Sequence, residues 1–127
     1  MSLTAVEIKA FVPARDLEAS LAFYRALGFE VPWASPDLAY VKHGETSFLL
    51  QKFYVAEHAN NYMMHLLVED VEAWHRNVLA SGVLQMAGVK LFEPPKDQPW
   101  GMRDFPLSDP TGVLWRIAQN IPGVEKV

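Results

Sequence analysis

The chain of 127 residues contains no cysteine. A disulfide scaffold, a thiolate nucleophile and a thiolate metal site are therefore excluded, and a metal ion would need His, Asp and Glu ligands. No apolar run approaches the ~20 residues of a membrane span, and the N-terminal residues do not have the pattern of an export signal. We therefore expect a cytoplasmic protein that has no membrane partner.

Positive charge is also scarce. Eleven Lys and Arg residues stand against 15 Asp and Glu, and the formal net charge is −4. A stripe of basic residues, through which nucleic-acid-binding proteins release counterions, is missing, so we expect no nucleic-acid partner. Half of the positions are apolar, which is enough for one compact domain over residues 1–127.

The most informative feature that the chain does have is an internal repeat. Asp16-Leu-Glu-Ala begins one amphipathic block that ends at Gly28, and Asp70-Val-Glu-Ala begins another that ends at Gly82. The two starts and the two ends have the same offset of 54 residues, from 70 − 16 and 82 − 28. A fixed offset predicts two copies of one supersecondary unit, and ligand sites commonly lie where such units meet.

Each block has the signals of a helix, with Asp as N-cap and Gly as the stop, over about residues 16–27 and 70–81. Before the first helix, residues 6–12 alternate between apolar and polar, which predicts a strand with Val6, Ile8, Ala10 and Val12 on its core side. β-rich segments follow the first helix at residues 29–33, 38–42 and 47–53. In the second unit one such segment precedes the helix, at residues 62–68, and three follow it, at residues 89–92, 102–107 and 113–119. Each unit therefore reads βαβββ, with one module at about 4–55, a second at about 60–120 and a linker at 56–61.

Three segments resemble the vicinal oxygen chelate superfamily, which includes glyoxalase I, extradiol dioxygenases and bleomycin-resistance proteins. They are residues 13–29, residues 68–74, and residues 99–105 leading into 109–112. The run Pro99-Trp-Gly-Met-Arg is most similar to the bleomycin-resistance branch. The resemblance implies an α+β fold in which two βαβββ modules form an open, curled mixed β-sheet around a cleft, with helices on the outer face. It also implies a homodimer.

In the enzymes of this superfamily, the first and fourth strands of each module supply the ligands of a divalent metal ion. The matching positions of this chain hold Lys9, Gln51, Met63 and Arg116. Protonated Lys and Arg have no lone pair to offer, and a thioether is a soft ligand. The resemblance therefore implies a cleft with no metal or other cofactor and no catalytic residue.

The expected alternation of strand faces directs a mixed set of side chains into this cleft or to its mouth. The candidate ligand-binding residues are Lys9, Phe11, Trp33, Gln51, Phe53, Met63, His65, Trp100 and Arg116. Polar groups within an apolar surround are typical of a pocket that orients a small ligand. We expect Trp33 and Trp100 to stack on the ligand, and the cations to favour an anionic group. Two simpler interpretations remain, a solvated concave face with snorkelling cations and a Trp100 that plugs the barrel end.

The predicted function is the metal-free binding or sequestration of a small amphipathic or aromatic molecule, as in bleomycin resistance. The alternative is a metal-dependent lyase, isomerase or dioxygenase whose divalent metal ion is held by a rearranged set that includes Glu7 and His65. A third hypothesis is an interaction module whose cleft is only a dimer seam. Of the smaller features, we expect His43 to face solvent and Arg103 to pair with Asp104.

Overall fold

The fold is described by a computed structural model that covers residues 1–123; residues 124–127 of the predicted domain lie outside the described residues. The first module consists of β1 (Phe11–Ala14), α1 (Leu17–Leu27), β2 (Glu30–Ala34), β3 (Leu38–His43) and β4 (Thr46–Lys52). A short helix α2 (Ala56–Ala59) leads to the second module. Its elements are β5 (Met63–Leu67), α3 (Val71–Ser81), a 3-10 helix (Val83–Gln85), β6 (Lys90–Leu91), β7 (Lys96–Asp97), β8 (Met102–Ser108) and β9 (Leu114–Asn120).

The strands form two mixed sheets that do not close into a barrel. The order is β1-β4-β3-β2 in the first sheet and β5-β9-β8-β6 in the second, where β7 also pairs with β8. In each sheet the strand before the helix pairs in parallel with the last strand of its module, and the other pairs are antiparallel. The predicted α+β architecture of two repeated modules is therefore confirmed.

The two long helices begin and end as the repeat predicts. The Asp16 carboxylate accepts the N–H of Ala19 at 3.1 Å, and Asp70 accepts that of Ala73 at 3.0 Å. Gly28 and Gly82 end the helices with φ of 104° and 85°, a region that side chains with a Cβ rarely adopt. Within residues 1–123, no helix is long and apolar enough to cross a membrane.

A single hydrophobic core joins the two modules. Alternate residues of both sheets are buried against the helices, among them Val12, Phe48, Leu50, Phe105, Leu107, Trp115 and Ile117. The Tyr24 ring lies 5.1 Å from Phe48 and 5.7 Å from Trp115, in edge-on geometry. Because Phe48 belongs to the first sheet and Trp115 to the second, one aromatic side chain of α1 packs on both.

Hydrogen bonds also connect the modules. The Tyr24 hydroxyl donates to Asp109 Oδ2 at 2.6 Å and accepts from Trp115 Nε1 at 2.9 Å. Asn77 of α3 donates to the carbonyl oxygen of Leu27, at the end of α1, at 2.8 Å. These buried and partly buried contacts fix the relative position of the two sheets.

The predicted boundaries of the first strand are wrong. β1 begins at Phe11, and the apolar side chains predicted for its core side, Val6 and Ile8, are 91% and 95% exposed. In the observed register Phe11 lies opposite Leu49, so residues before Ile8 would pass the start of β4 at Thr46 and have no strand beside them. Alternation predicts which faces a strand would have, but a strand also needs a neighbour.

Three short elements were not predicted. α2 replaces the expected irregular linker, and the 3-10 helix and β7 add to the second module. β7 consists only of Lys96 and Asp97, so it carries no apolar pattern by which a strand is recognised.

Candidate functional site

The face of the first sheet that points away from the core carries aromatic side chains. We call it the first open face; it comprises Phe11, Trp33, Tyr40, Leu49 and Gln51. The strand register places Phe11 opposite Leu49, Leu49 opposite Tyr40, and Tyr40 opposite Trp33, so these side chains form one row across the sheet. Phe11 and Trp33 are each 52% exposed, which leaves part of each ring free to contact a ligand.

An ion pair lies beside this row. The Lys9 ammonium pairs with Glu7 and lies 5.3 Å from the centre of the Tyr40 ring. Glu7 also accepts a hydrogen bond from Ser47 Oγ at 3.3 Å. The hydrogen bond from Lys9 lowers the pKa of the Glu7 carboxyl, which favours its ionised form.

The second sheet has a corresponding second open face, formed by Met63, His65, Leu67, Leu114 and Arg116. His65 lies opposite Arg116 and Met63 opposite Leu114 in the parallel pair of β5 and β9. Met63 and Leu67 are 57% and 51% exposed. This face therefore combines apolar side chains with a histidine and an arginine.

Arg116 is held by a buried carboxylate. Its Nη1 donates to Asp104 Oδ1 at 3.1 Å, and Gln98 Nε2 donates to the same oxygen at 3.0 Å. The Trp100 ring lies over the guanidinium group, with 5.8 Å between the Arg116 Cζ and the ring centre. Gln98 and Trp100 precede β8 on a loop, so Asp104 connects this loop to the sheet.

The candidate binding residues fall into two groups in the single chain. Lys9, Phe11, Trp33, Gln51 and Phe53 belong to the first sheet or its margin, and Met63, His65, Trp100 and Arg116 belong to the second. Within residues 1–123, no hydrogen bond, ion pair or aromatic contact joins the two groups. Their roles in ligand binding stay a prediction.

The charges of the two faces are balanced. Lys9 is paired with Glu7 and Arg116 with Asp104, so each expected cation carries its own carboxylate. The predicted preference for an anionic group relied on unpaired cations. The geometry removes that basis.

The residues at the family's metal positions do not fit a divalent ion. Lys9 and Arg116 are donors in ion pairs, and the register sets Pro13 opposite Gln51 and Leu114 opposite Met63. Glu7 contacts Lys9 and Ser47 rather than His65, so the rearranged pair of the alternative hypothesis is not assembled. In the part of the chain that is described, no group of three or more His, Cys, Asp or Glu side chains could hold a metal.

Sequence reasoning missed the role of Asp104. The expected pair between Arg103 and Asp104 is wrong, because neighbours in one strand point to opposite faces. Arg103 instead pairs with Glu72 at 2.7 Å and Asp97 at 3.2 Å. The turn at Asp109–Gly112 carried the missing signal, because counting outward from it aligns Pro106 with Arg116 and puts Asp104 diagonally beside that arginine.

A groove separates the β3–β4 turn from the free edge of β5. It has a cavity volume of about 390 Å³ and is lined by His43, Thr46, Leu66, Leu67, Val68, Glu69, Asp70, Ala73 and Trp74. His43, expected to face solvent, is half-buried, and its ring lies 5.0 Å from Trp74. A neighbouring cavity of about 270 Å³ includes His65.

Comparison with known proteins adds to this geometry. A bleomycin resistance protein of Klebsiella pneumoniae is 26% identical over 114 residues, which is 86% of this chain and 88% of that protein. A bleomycin-binding protein solved in complex with bleomycin has a TM-score of 0.76 at 22% identity, covering 91% of this chain and 99% of its own. A bleomycin-binding protein from Streptomyces verticillus, solved with copper(II)-bleomycin, has a TM-score of 0.71 at 22% identity, with 93% and 98% covered.

The solved structures share the fold with this chain. The family model described as Glyoxalase/Bleomycin resistance protein/Dioxygenase superfamily matches residues 6–117. That range includes both modules and nearly all of the two open faces. The chain therefore belongs to the glyoxalase/bleomycin resistance protein/dioxygenase superfamily.

Proposed function

We propose that the chain binds and sequesters a small amphipathic or aromatic molecule without a metal ion of its own, as a bleomycin-binding protein does with its drug. The observation that carries this proposal is that half-exposed aromatic rings lie beside charge-balanced ion pairs on both open faces. The bleomycin resistance protein of Klebsiella pneumoniae supports it. The proposal includes a cytoplasmic location without nucleic-acid or membrane partners, and the net charge of −4 supports the part that concerns nucleic acid.

Aromatic stacking and balanced charge together suit a ligand with an extended planar part. Trp33 and Trp100 leave part of each ring accessible for stacking, because they are 52% and 37% exposed. Since Lys9 and Arg116 are neutralised by their partners, a cationic ligand meets no net repulsion from either face.

A second copy of the chain completes the cleft in this proposal. Apolar side chains on both open faces, such as Phe11 and Met63, are about half exposed, and exposed apolar patches of this kind mark interaction surfaces. The segment before β1 adds Val6 and Ile8 to the exposed apolar area. A homodimer would set the first open face of one copy against the second open face of its partner.

The test is a calorimetric titration of the dialysed protein with metal-free bleomycin and, separately, with copper(II)-bleomycin. We expect saturable binding of at least one form. Trp100→Ala should weaken it by about tenfold, the loss expected for one aromatic stacking contact. Trp74→Phe is the matched control, because Trp74 contacts His43 and Phe29 away from both open faces.

The absence of binding by both forms and by a panel of planar aromatic amines would contradict the proposed function. Metal content gives a second, independent result. We expect chelator treatment to leave the affinity for metal-free ligand unchanged. Stoichiometric binding of Mn²⁺, Fe²⁺, Ni²⁺ or Zn²⁺ that is lost in His65→Ala would instead favour the enzymatic alternative.

A further inference from the structure

Asp104 is a charged side chain in an unusual position on the second sheet. It is fully buried, whereas its partner Arg116 keeps 27% of its side-chain surface exposed. A buried carboxylate is stable only when it is paired and hydrogen-bonded, which here depends on Arg116 and Gln98. The charge of Asp104 is therefore stabilised by Arg116, a residue of the second open face.

The two donors use only half of this carboxylate. Gln98 and Arg116 both donate to Oδ1, and Oδ2 is buried without a hydrogen-bond partner among the described residues. The side-chain oxygen of Asn120, on the same face of the hairpin, is likewise buried and unpaired. Two buried acceptors without donors favour a donor that comes close to them, above all a positively charged one.

Resting on the proposed function, we propose that Asp104 determines the charge specificity of the site. It cancels the positive charge of Arg116 beneath Trp100, so the face does not attract anions. Its unused oxygen and that of Asn120 favour a ligand that carries a protonated amine. Asp104 acts through Arg116 and through the loop with Trp100, so it is a positioning residue as well as a source of charge.

Two probes with the same aromatic ring and opposite charge test this assignment. They are 2-naphthylmethylammonium and 2-naphthalenesulfonate, whose affinities are measured by calorimetry for each variant. We expect wild type to prefer the ammonium probe. Asp104→Asn should weaken ammonium binding and strengthen sulfonate binding, each by about tenfold, which corresponds to about 1.4 kcal/mol.

Three further variants separate local from general charge effects. Asp97→Asn removes the same formal charge from an exposed partner of Arg103 and should leave the preference unchanged. Arg116→Gln, a change at a partly exposed side chain, removes the cation of the pair and should weaken sulfonate binding, and it does not require Asp104→Asn to fold. In the Arg116→Gln background, Asp104→Asn should strengthen sulfonate binding by less than it does in wild type, because Arg116 is no longer there to attract the sulfonate.

The outcomes distinguish this inference from the proposed function. If wild type binds bleomycin but Asp104→Asn and Asp97→Asn shift the probe preference equally, the specificity role of Asp104 is wrong and the binding function stands. The role is also wrong if Arg116→Gln leaves sulfonate binding unchanged, or if Asp104→Asn strengthens sulfonate binding as much without Arg116 as with it. If wild type binds neither bleomycin nor either probe, the binding function itself is overturned.

Discussion

Four donors converge on a single residue, Asp109. The Tyr24 hydroxyl donates to Oδ2, and the backbone N–H groups of Thr111, Gly112 and Val113 donate to Oδ1 at 2.9 to 3.0 Å. Burial nevertheless raises the pKa of Asp109 above its ordinary value of 3.8, and it raises the pKa of Tyr24 well above 10.0. At this residue the loss of hydration outweighs the hydrogen bonds.

This raised pKa predicts an unusual dependence of stability on pH. Because the folded state holds the Asp109 proton more tightly than the unfolded state, its contribution to stability is complete below pH 3.8 and is lost as pH rises through the folded pKa. We expect the free energy of unfolding of wild type, relative to Asp109→Asn, to fall between pH 3 and pH 7. Urea denaturation at a series of pH values measures it.

The control for this titration is Asp37→Asn, a change at an exposed carboxylate in the loop before β3. The same urea series on that variant measures the effect of removing a carboxylate that is not buried. An increase in the difference between wild type and Asp109→Asn as pH rises would mean that hydrogen bonding, and not burial, dominates the carboxyl group.

At the scale of elements, α1 and α3 begin with the same type of N-cap, an aspartate. Asp16 and Asp70 bind the N–H three residues ahead in the same geometry. Replacing either with Ala should lower the free energy of unfolding by about 1 kcal/mol, because one backbone N–H in the first turn of the helix loses its acceptor. Chemical denaturation measures both, and Glu18→Ala, in the first turn but outside the cap, should have a smaller effect.

A large difference between the two cap variants would contradict the equivalence of the repeated helices. The two cap variants can be compared directly, because α1 and α3 have the same length of 11 residues and both end at a glycine.

The helices and the burial pattern of the strands follow from local rules, which explains why they could be predicted. Asp16, Gly28 and their repeats carry the chemistry of helix ends within a few residues. The buried face of β4, with Phe48 and Leu50, follows from alternation alone. These features need no knowledge of the rest of the chain.

The features that could not be predicted depend on distant partners. Residues 6–12 alternate as a strand would, yet only the register with β4 decides that pairing starts near Phe11. The pairing of Arg116 with Asp104 depends on the β8–β9 register, and the approach of Trp100 to Arg116 on the path of a loop. The binding roles of Lys9 and Gln51 stay predictions, since no described contact tests them.

At the scale of the whole molecule, the exposed segment before β1 bears on self-association. Val6 and Ile8 are 91% and 95% exposed, so changes there do not disturb the core of one chain. If they contribute to the proposed homodimer, the double change Val6→Asp and Ile8→Asp should shift the protein toward monomer without lowering the free energy of unfolding of the chain. Sedimentation velocity over a range of concentrations measures this.

Leu79→Asp is the control, since it places one such negative charge at another exposed apolar position, on α3. It should leave the sedimentation behaviour unchanged. If wild type sediments as a monomer at all concentrations, the homodimer is wrong, and one chain must supply both walls of any binding site.

The hydrogen bond from Tyr24 to Asp109 makes the two copies of the repeat depend on each other. It joins the helix of the first copy to the final hairpin of the second. In the opposite direction, Asn77 of the second copy donates a hydrogen bond to the Leu27 carbonyl of the first. Each half has therefore come to supply atoms that the other lacks, so deleting either half would strand a buried tyrosine or a buried aspartate. We therefore expect the two halves to unfold as one cooperative unit.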